Sequence, residues 1–249
     1  MASGFFILPQ LSFQLVQGHT GCYRIQENGQ HADQMTEVVL WGGTGHSRVL
    51  RELLSHLGMV VPAVIDNREI EAPFAGVETI RGIEGLKAWL DRRADGSIKP
   101  SYALAIGGGY GRDRLAIAND LDDLGLPPIT LVHPTAMVAS DAVLALGSQV
   151  LIGATVATCV RVGRCSIINS RASVDHDCVI GDGVHIGPGA TLCGQIEVGD
   201  GVFVGAGATV LPRIKIGPDS TVGAGAVVIK DVPAGSTVVG VPARLQKAQ

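Results

Sequence analysis

Asp175-His176-Asp177 is the segment of this sequence best suited to moving a proton. Imidazole titrates near neutral pH, so it can take a proton from an attacking amine or hydroxyl and release it again. An adjacent carboxylate that accepts from one ring nitrogen fixes the tautomer and raises the basicity of the other. The residues by themselves also fit a solvated histidine flanked by charges. A second histidine, His185, follows nine positions later.

Another chemistry lies near the start. Glu37–Leu40 begins a buried strand, Gly42-Gly43-Thr44-Gly45-His46-Ser47 follows, and Val49, Leu50, Leu53, Leu54 and Leu57 recur at helical spacing. Strand, glycine turn and helix let backbone N–H groups approach an anion at a helix N-terminus. A second strand ends at Asp66-Asn67, 21 residues after Gly45, where dinucleotide folds carry a ribose-binding carboxylate. The fingerprint is incomplete, because Arg48 stands where G-x-G-x-x-G needs its last glycine. A nucleotide-type ligand and a plain tight turn both remain open. A third strand, YALAIG, runs into Gly107-Gly108-Gly109. Both glycine loops would face the carboxyl edge of a parallel sheet. Residues 35–131 suit one nucleotide half-site, a half-Rossmann α/β domain.

The elements that must position His176 follow a different rule. From Val138 to Val228 every sixth residue is a branched aliphatic, 16 positions without a miss. Two residues before each stands Ala, Ser, Cys, Val or Ile. Short fixed periods mean solenoids. A period of six gives three flat sides per 18-residue coil, stacked at a spacing of about 4.8 Å. The interior is too narrow for rings, which accounts for the aromatics: nine of ten precede residue 111, and only Phe203 lies beyond. Glycine-rich corners turn the chain between the sides, and glycine directly follows seven of the 16 aliphatics.

Composition excludes other classes. The net charge of −4 disfavours nucleic acid as a partner. With 46% apolar residues the chain is not disordered. Residues 142–160 carry no charge and would pass a hydropathy window for a membrane span, but the six-residue period runs straight through them. No membrane association is expected. Five cysteines without a C-x-x-C point to reduced thiols in a cytoplasmic protein. Residues 1–34 fit neither neighbour and are expected to be a disordered extension, with the α/β domain over 35–131 and the prism over 132–249.

The hexad pattern resembles the left-handed parallel β-helix of the hexapeptide-repeat acyltransferase superfamily. The tail Val232-Pro233-Ala234-Gly235 to Gly240-Val241-Pro242-Ala243 is similar to the superfamily's last coil. A small glycine-loop α/β domain ahead of that prism is similar to sugar acetyltransferases of the NeuD/PglD type. The motifs that carry this are Gly42 to Ser47, Ala105-Ile106-Gly107, and Ile168-Asn169-Ser170 with Val174 to Ile186. The resemblance implies a homotrimer that uses acetyl-CoA to N-acetylate a nucleotide-linked amino sugar, without metal. It makes His176 the proton acceptor and Asp177 its tuning carboxylate. It assigns acetyl-CoA contacts to His185, Gly194, Ala206 and Ala224. It assigns the nucleotide sugar to Thr44, Gly45, His46, Asp66, Asn67 and Gly107. Asn67 replaces a second carboxylate found in some relatives. Lys230, Arg213 and Arg244 are available to CoA phosphates or to solvent.

The alternatives are O-acetylation of sialic acid or a similar sugar, a zinc enzyme like the γ carbonic anhydrases, and a non-catalytic nucleotide-sugar binder. Zinc catalysis needs three histidines around an open position, and the prism offers only His133, His176 and His185.

Overall fold

The computed structural model describes residues 13–17, 23–27, 36–93 and 97–246. The first domain is a four-stranded parallel sheet. Its strands are β1 (Val38–Trp41), β2 (Ala63–Asp66), β3 (Glu78–Arg81) and β4 (Ser101–Leu104), in spatial order β3-β2-β1-β4. Helices α1 (Gly45–His56), α2 (Gly82–Asp91) and α3 (Gly111–Asp123) cover it. β1 and β2 are buried along their whole length, as continuous apolar runs in a covered parallel sheet should be. β3 is an addition to the expected strands. It is an edge strand, ETIR, in which only Ile80 is buried, so its sequence carries no hydrophobic run.

The second domain is the prism. Two-residue strands recur every six positions from Leu131–Val132 to Val227–Val228. From Leu131–Val132 to Thr209–Val210 each pairs in parallel with the strand 18 residues on, as Ile167 with His185 and Ser173 with Thr191. Three sheets result. The aliphatic of each hexad and the small residue two before it form one core, from Ala142 and Leu144 to Ala226 and Val228. The uncharged stretch 142–160 is three of these strands, and no helix among the described residues is long and apolar enough to cross a membrane.

Two corner positions explain the glycine content. Gly181, just after a strand, lies so close to the next coil that a Cβ would stand 2.8 Å from the Asp200 amide. Three residues past the aliphatics from Leu144 to Val222 the backbone is left-handed, with glycine at Gly183 (φ 64°) but Asp177 (φ 59°) and Gln195 (φ 62°) at others.

The two domains share cores. Leu131, Leu151 and Ile167 of the prism pack with Val38, Leu40 and Leu50, while Cys165 packs beneath Trp41 and Leu121. On the eight-stranded side the outward residues Leu131, Gln149, Ile167 and His185 are therefore buried. Ahead of the first domain, strands Phe13–Gln17 and Tyr23–Glu27 pair antiparallel, with Tyr23 opposite Leu144. Otherwise the extension expected at 1–34, with Cys22, lies outside the described residues.

Candidate active site

The glycine turn is pressed against the sheet. A Cβ on Gly42 would meet the Ala105 carbonyl oxygen at 2.6 Å. Thr44 and Gly45 are exposed at the start of α1, where the Ser47 amide already donates to the Thr44 carbonyl at 3.1 Å and the amides before it have no intrahelical acceptor. Asp66 is buried at the end of β2. Its Oδ2 accepts from the Gly43 amide at 3.0 Å, and its Oδ1 from the Arg68 amide at 3.0 Å and from Arg68 Nε at 3.1 Å. Burial works against its charge, but the Arg68 and Gly43 donors outweigh that and hold the carboxyl below its usual range. Its lone pairs are thus largely occupied within the chain. A ribose or base would have to displace the exposed Arg68 side chain. Asn67, beside it, is exposed.

Deeper in, three neutral groups form a relay. Gln149 Nε2 donates to the Leu104 carbonyl at 2.8 Å, so its Oε1 is the acceptor for His46 Nε2–H at 2.9 Å. Burial, with Arg114 nearby, lowers the His46 pKa against that bond. His185 is held the same way. Asn169 Oδ1 accepts from the Ser170 amide, which leaves its Nδ2 to donate to His185 Nε2 at 2.9 Å. His185 Nδ1 then carries the proton and donates to the Gly108 carbonyl at 3.2 Å. Burial, Arg114 and His46 push the His185 pKa down to about 4. Gly107 faces the same ring, and Phe203 lies 5.3 Å from it, centroid to centroid.

His176 stands at the corner between the six- and seven-stranded sheets and is exposed. Its Nδ1–H donates to Asp177 Oδ2 at 2.8 Å, while Asp175 Oδ1 accepts the His176 amide at 2.8 Å. The Asp177 bond leads the effects that raise the imidazole pKa. Nε2 is left as a free base. It hangs directly over Gly194, one coil on, where any Cβ would collide with the ring. Gln195, which follows, donates its amide to the His176 carbonyl at 2.9 Å.

The expected site residues divide into two groups within one chain. His176, Asp177 and Gly194 share one corner. His185 faces the α/β domain, and Ala206 and Ala224 stack at the corner beyond the eight-stranded sheet, exposed. The two corners flank the six-stranded side. Its outward residues, Met137, Thr155, Ser173, Thr191, Thr209 and Val227, carry no charge. The seven-stranded side instead presents Arg161, Glu197 and Lys215.

Four residues given no site role from the sequence, Asn169, Gln149, Gly108 and Arg68, bind assigned side chains directly. Among the described residues, His133, His176 and His185 do not gather as metal ligands. Glu52, His56 and His133 do approach one another. However, His133 Nδ1 accepts from the Thr135 amide at 3.1 Å, so its proton sits on Nε2 and blocks that nitrogen as a donor to metal.

The model for bacterial transferase hexapeptide (six repeats) matches residues 159–194 and 195–230. The structure of a mutant perosamine N-acetyltransferase from Caulobacter crescentus, in complex with CoA and GDP-perosamine, superposes with a TM-score of 0.79 at 33% identity, covering 86% of this chain and 99% of that one. The acetyltransferase domain of PglB from Neisseria gonorrhoeae FA1090, in complex with acetyl coenzyme A, gives 0.75 at 31% identity over 86% and 100%. A GDP-perosamine N-acetyltransferase from Escherichia coli O157:H7 is 38% identical over 74 residues, 30% of this chain and 34% of that protein, so the match spans about a third of this curated relative. The fold is that of the left-handed β-helix acyltransferases with a half-Rossmann domain in front. The chain belongs to the hexapeptide-repeat sugar acetyltransferases.

Proposed function

We propose that this enzyme transfers acetyl from acetyl-CoA to the amino group of a nucleotide-linked sugar, with a GDP-linked 4-amino sugar as the first substrate to test. The observation that carries the reading is His176: an exposed imidazole whose Nδ1–H is tied to Asp177 and whose Nε2 is free above Gly194. The names of the relatives above support the amine, rather than a hydroxyl, as acceptor.

In the proposed reaction, Nε2 takes a proton from the substrate nitrogen as its lone pair adds to the thioester carbonyl. The C–N bond forms, the C–S bond breaks, and the proton on Nε2 passes to the departing CoA sulfur. Asp177 stabilises the imidazolium formed on the way. Thr44, Gly45, His46, Asp66, Asn67 and Gly107 hold the nucleotide sugar. His185, Gly194, Ala206 and Ala224 lie along the acetyl-CoA path.

Both groups of residues come together in a homotrimer. The uncharged six-stranded side is the interface surface, and the corners on its two edges carry the two half-sites. Rotation about a threefold axis brings the His176 edge of one copy to the His185 edge of the next. Acetyl-CoA and nucleotide sugars are cytoplasmic metabolites, which fits the free thiols at Cys159, Cys165, Cys178 and Cys193.

A thiol-release assay with acetyl-CoA across UDP-, GDP- and dTDP-linked 4-amino sugars and free sialic acid tests this. Release with a nucleotide-linked amino sugar is expected. Release with sialic acid alone would move the reading to O-acetylation, and no release with any acceptor would leave a binding protein.

A further inference from the structure

Arg114 is the one fully buried arginine or lysine among the described residues. It shares the inner stripe of α3 with Ala118 and Leu121. Its guanidinium donates to four main-chain carbonyls. Nε binds Cys165 at 3.0 Å, one Nη binds Ile106 at 3.2 Å, and the other binds Gly183 at 2.6 Å and Val184 at 3.2 Å. Ile106 immediately precedes Gly107, and Val184 immediately precedes His185. One rigid planar group therefore spans from the second glycine loop to the coil that carries His185.

Arg114 has no carboxylate within ion-pair distance among the described residues. Burial lowers its pKa to about 10, so it stays charged at neutral pH. An unpaired buried charge is a poor way to join two surfaces. The join already has other fastenings: Arg112 pairs with Asp219 at 2.7 Å, Arg164 pairs with Asp122 at 2.6 Å, and Gly111 packs on the Gly183 carbonyl too tightly for a side chain. What the cation adds is a fixed span and a positive field beside two histidines.

We propose that Arg114 is a positioning residue of the acetyl-transfer site: it sets the gap between the Gly107 loop and His185 and supplies the buried positive charge at the junction. Its field disfavours protonation of His185 and His46, so both keep the tautomers that their partners require. The other ionisable groups facing this region are Cys165 from the prism, whose buried thiol is pushed up to about 11, and Asp113, exposed beside Arg114 on α3. The assignment of the gap to substrate rests on the nucleotide-sugar reading above. The charge effect does not.

Two variants separate span from charge. Arg114→Lys keeps the charge, but an ammonium cannot reach four carbonyls. The KM values for a GDP-linked 4-amino sugar and for acetyl-CoA should both rise about tenfold, since Gly107 and His185 border the two sites, and the His185 midpoint by NMR titration should stay below about 5. Arg114→Gln removes the charge and should raise the His185 midpoint by about one pH unit. Wild-type sugar KM in both variants, or an unmoved His185 midpoint in Arg114→Gln, overturns the proposal. If neither variant folds, the intact enzyme decides. The Arg114 Nε–H resonance should exchange slowly with solvent and His185 should titrate near 4, whereas a fast-exchanging Nε–H or a His185 midpoint near 6.5 overturns it. Failure of the nucleotide-sugar reading would show separately, as no CoA release from the wild-type protein with any amino sugar.

Discussion

His176 and His185 are nine residues apart on one prism, one at a corner and the other on a side, yet they are opposite in chemistry. His176 is in water, with a carboxylate on Nδ1 and no hydrogen-bond partner on Nε2 among the described residues. His185 lies under a second domain, with both ring nitrogens bound and an arginine nearby. The carboxylate raises one pKa, while burial and then the cation lower the other. The contrast shows that a repeat can supply identical backbone geometry at every coil while what covers each side decides the function of the side chain.

The sharpest way to break this comparison is His176→Ala. Loss of the proposed general base should lower kcat about 10²–10⁴-fold while acetyl-CoA still binds. Near-normal kcat on the true substrate would mean that the base lies elsewhere. At the other histidine the effect falls on stability. Its folded-state pKa is depressed from 6.5 to about 4, so unfolding takes up a proton between those values. Stability should be complete above about pH 6.5 and decline as pH falls to 4, by at most about 3 kcal/mol from this group. Urea unfolding of His185→Gln should show a smaller loss over the same window, and equal losses in both proteins would contradict the buried neutral ring.

Gly194→Ala tests the contact below His176. The new methyl must push the ring aside, and the exposed ring can move. kcat should fall about tenfold with thermal stability nearly unchanged. The smallest change is Asp177→Asn. The proton on His176 loses the partner that holds its pKa up. The acid limb of kcat/KM, set by the free base, should move to lower pH, and the plateau should drop a few-fold as basicity falls. An unshifted limb would show that Asp177 does not act on the imidazole.

Much of this was legible in the chain. The hexads identified the prism because each coil repeats the same requirement, an aliphatic and a small residue inward and a tight turn at the corner. The His176–Asp177 couple was legible because its partners are sequence neighbours. β3 was not, since one buried residue in four leaves no period to read. Arg114 left a faint signal, a charge standing four and seven residues before Ala118 and Leu121 on an otherwise apolar stripe. Sequence reasoning treats such a charge as solvated.

By itself, the sequence determined the coil, its phase and the exposed His176–Asp177 couple, because these depend on contacts repeated at fixed short or 18-residue separations. Only the tertiary structure decided the state of His185, the relay from His46 to Gln149, and the setting of Arg114. Those contacts join residues 103 apart in the relay and up to 70 apart around Arg114. No local pattern encodes such pairs. They exist because the α/β domain buries one side of the prism, and burial sets which ring nitrogens stay neutral.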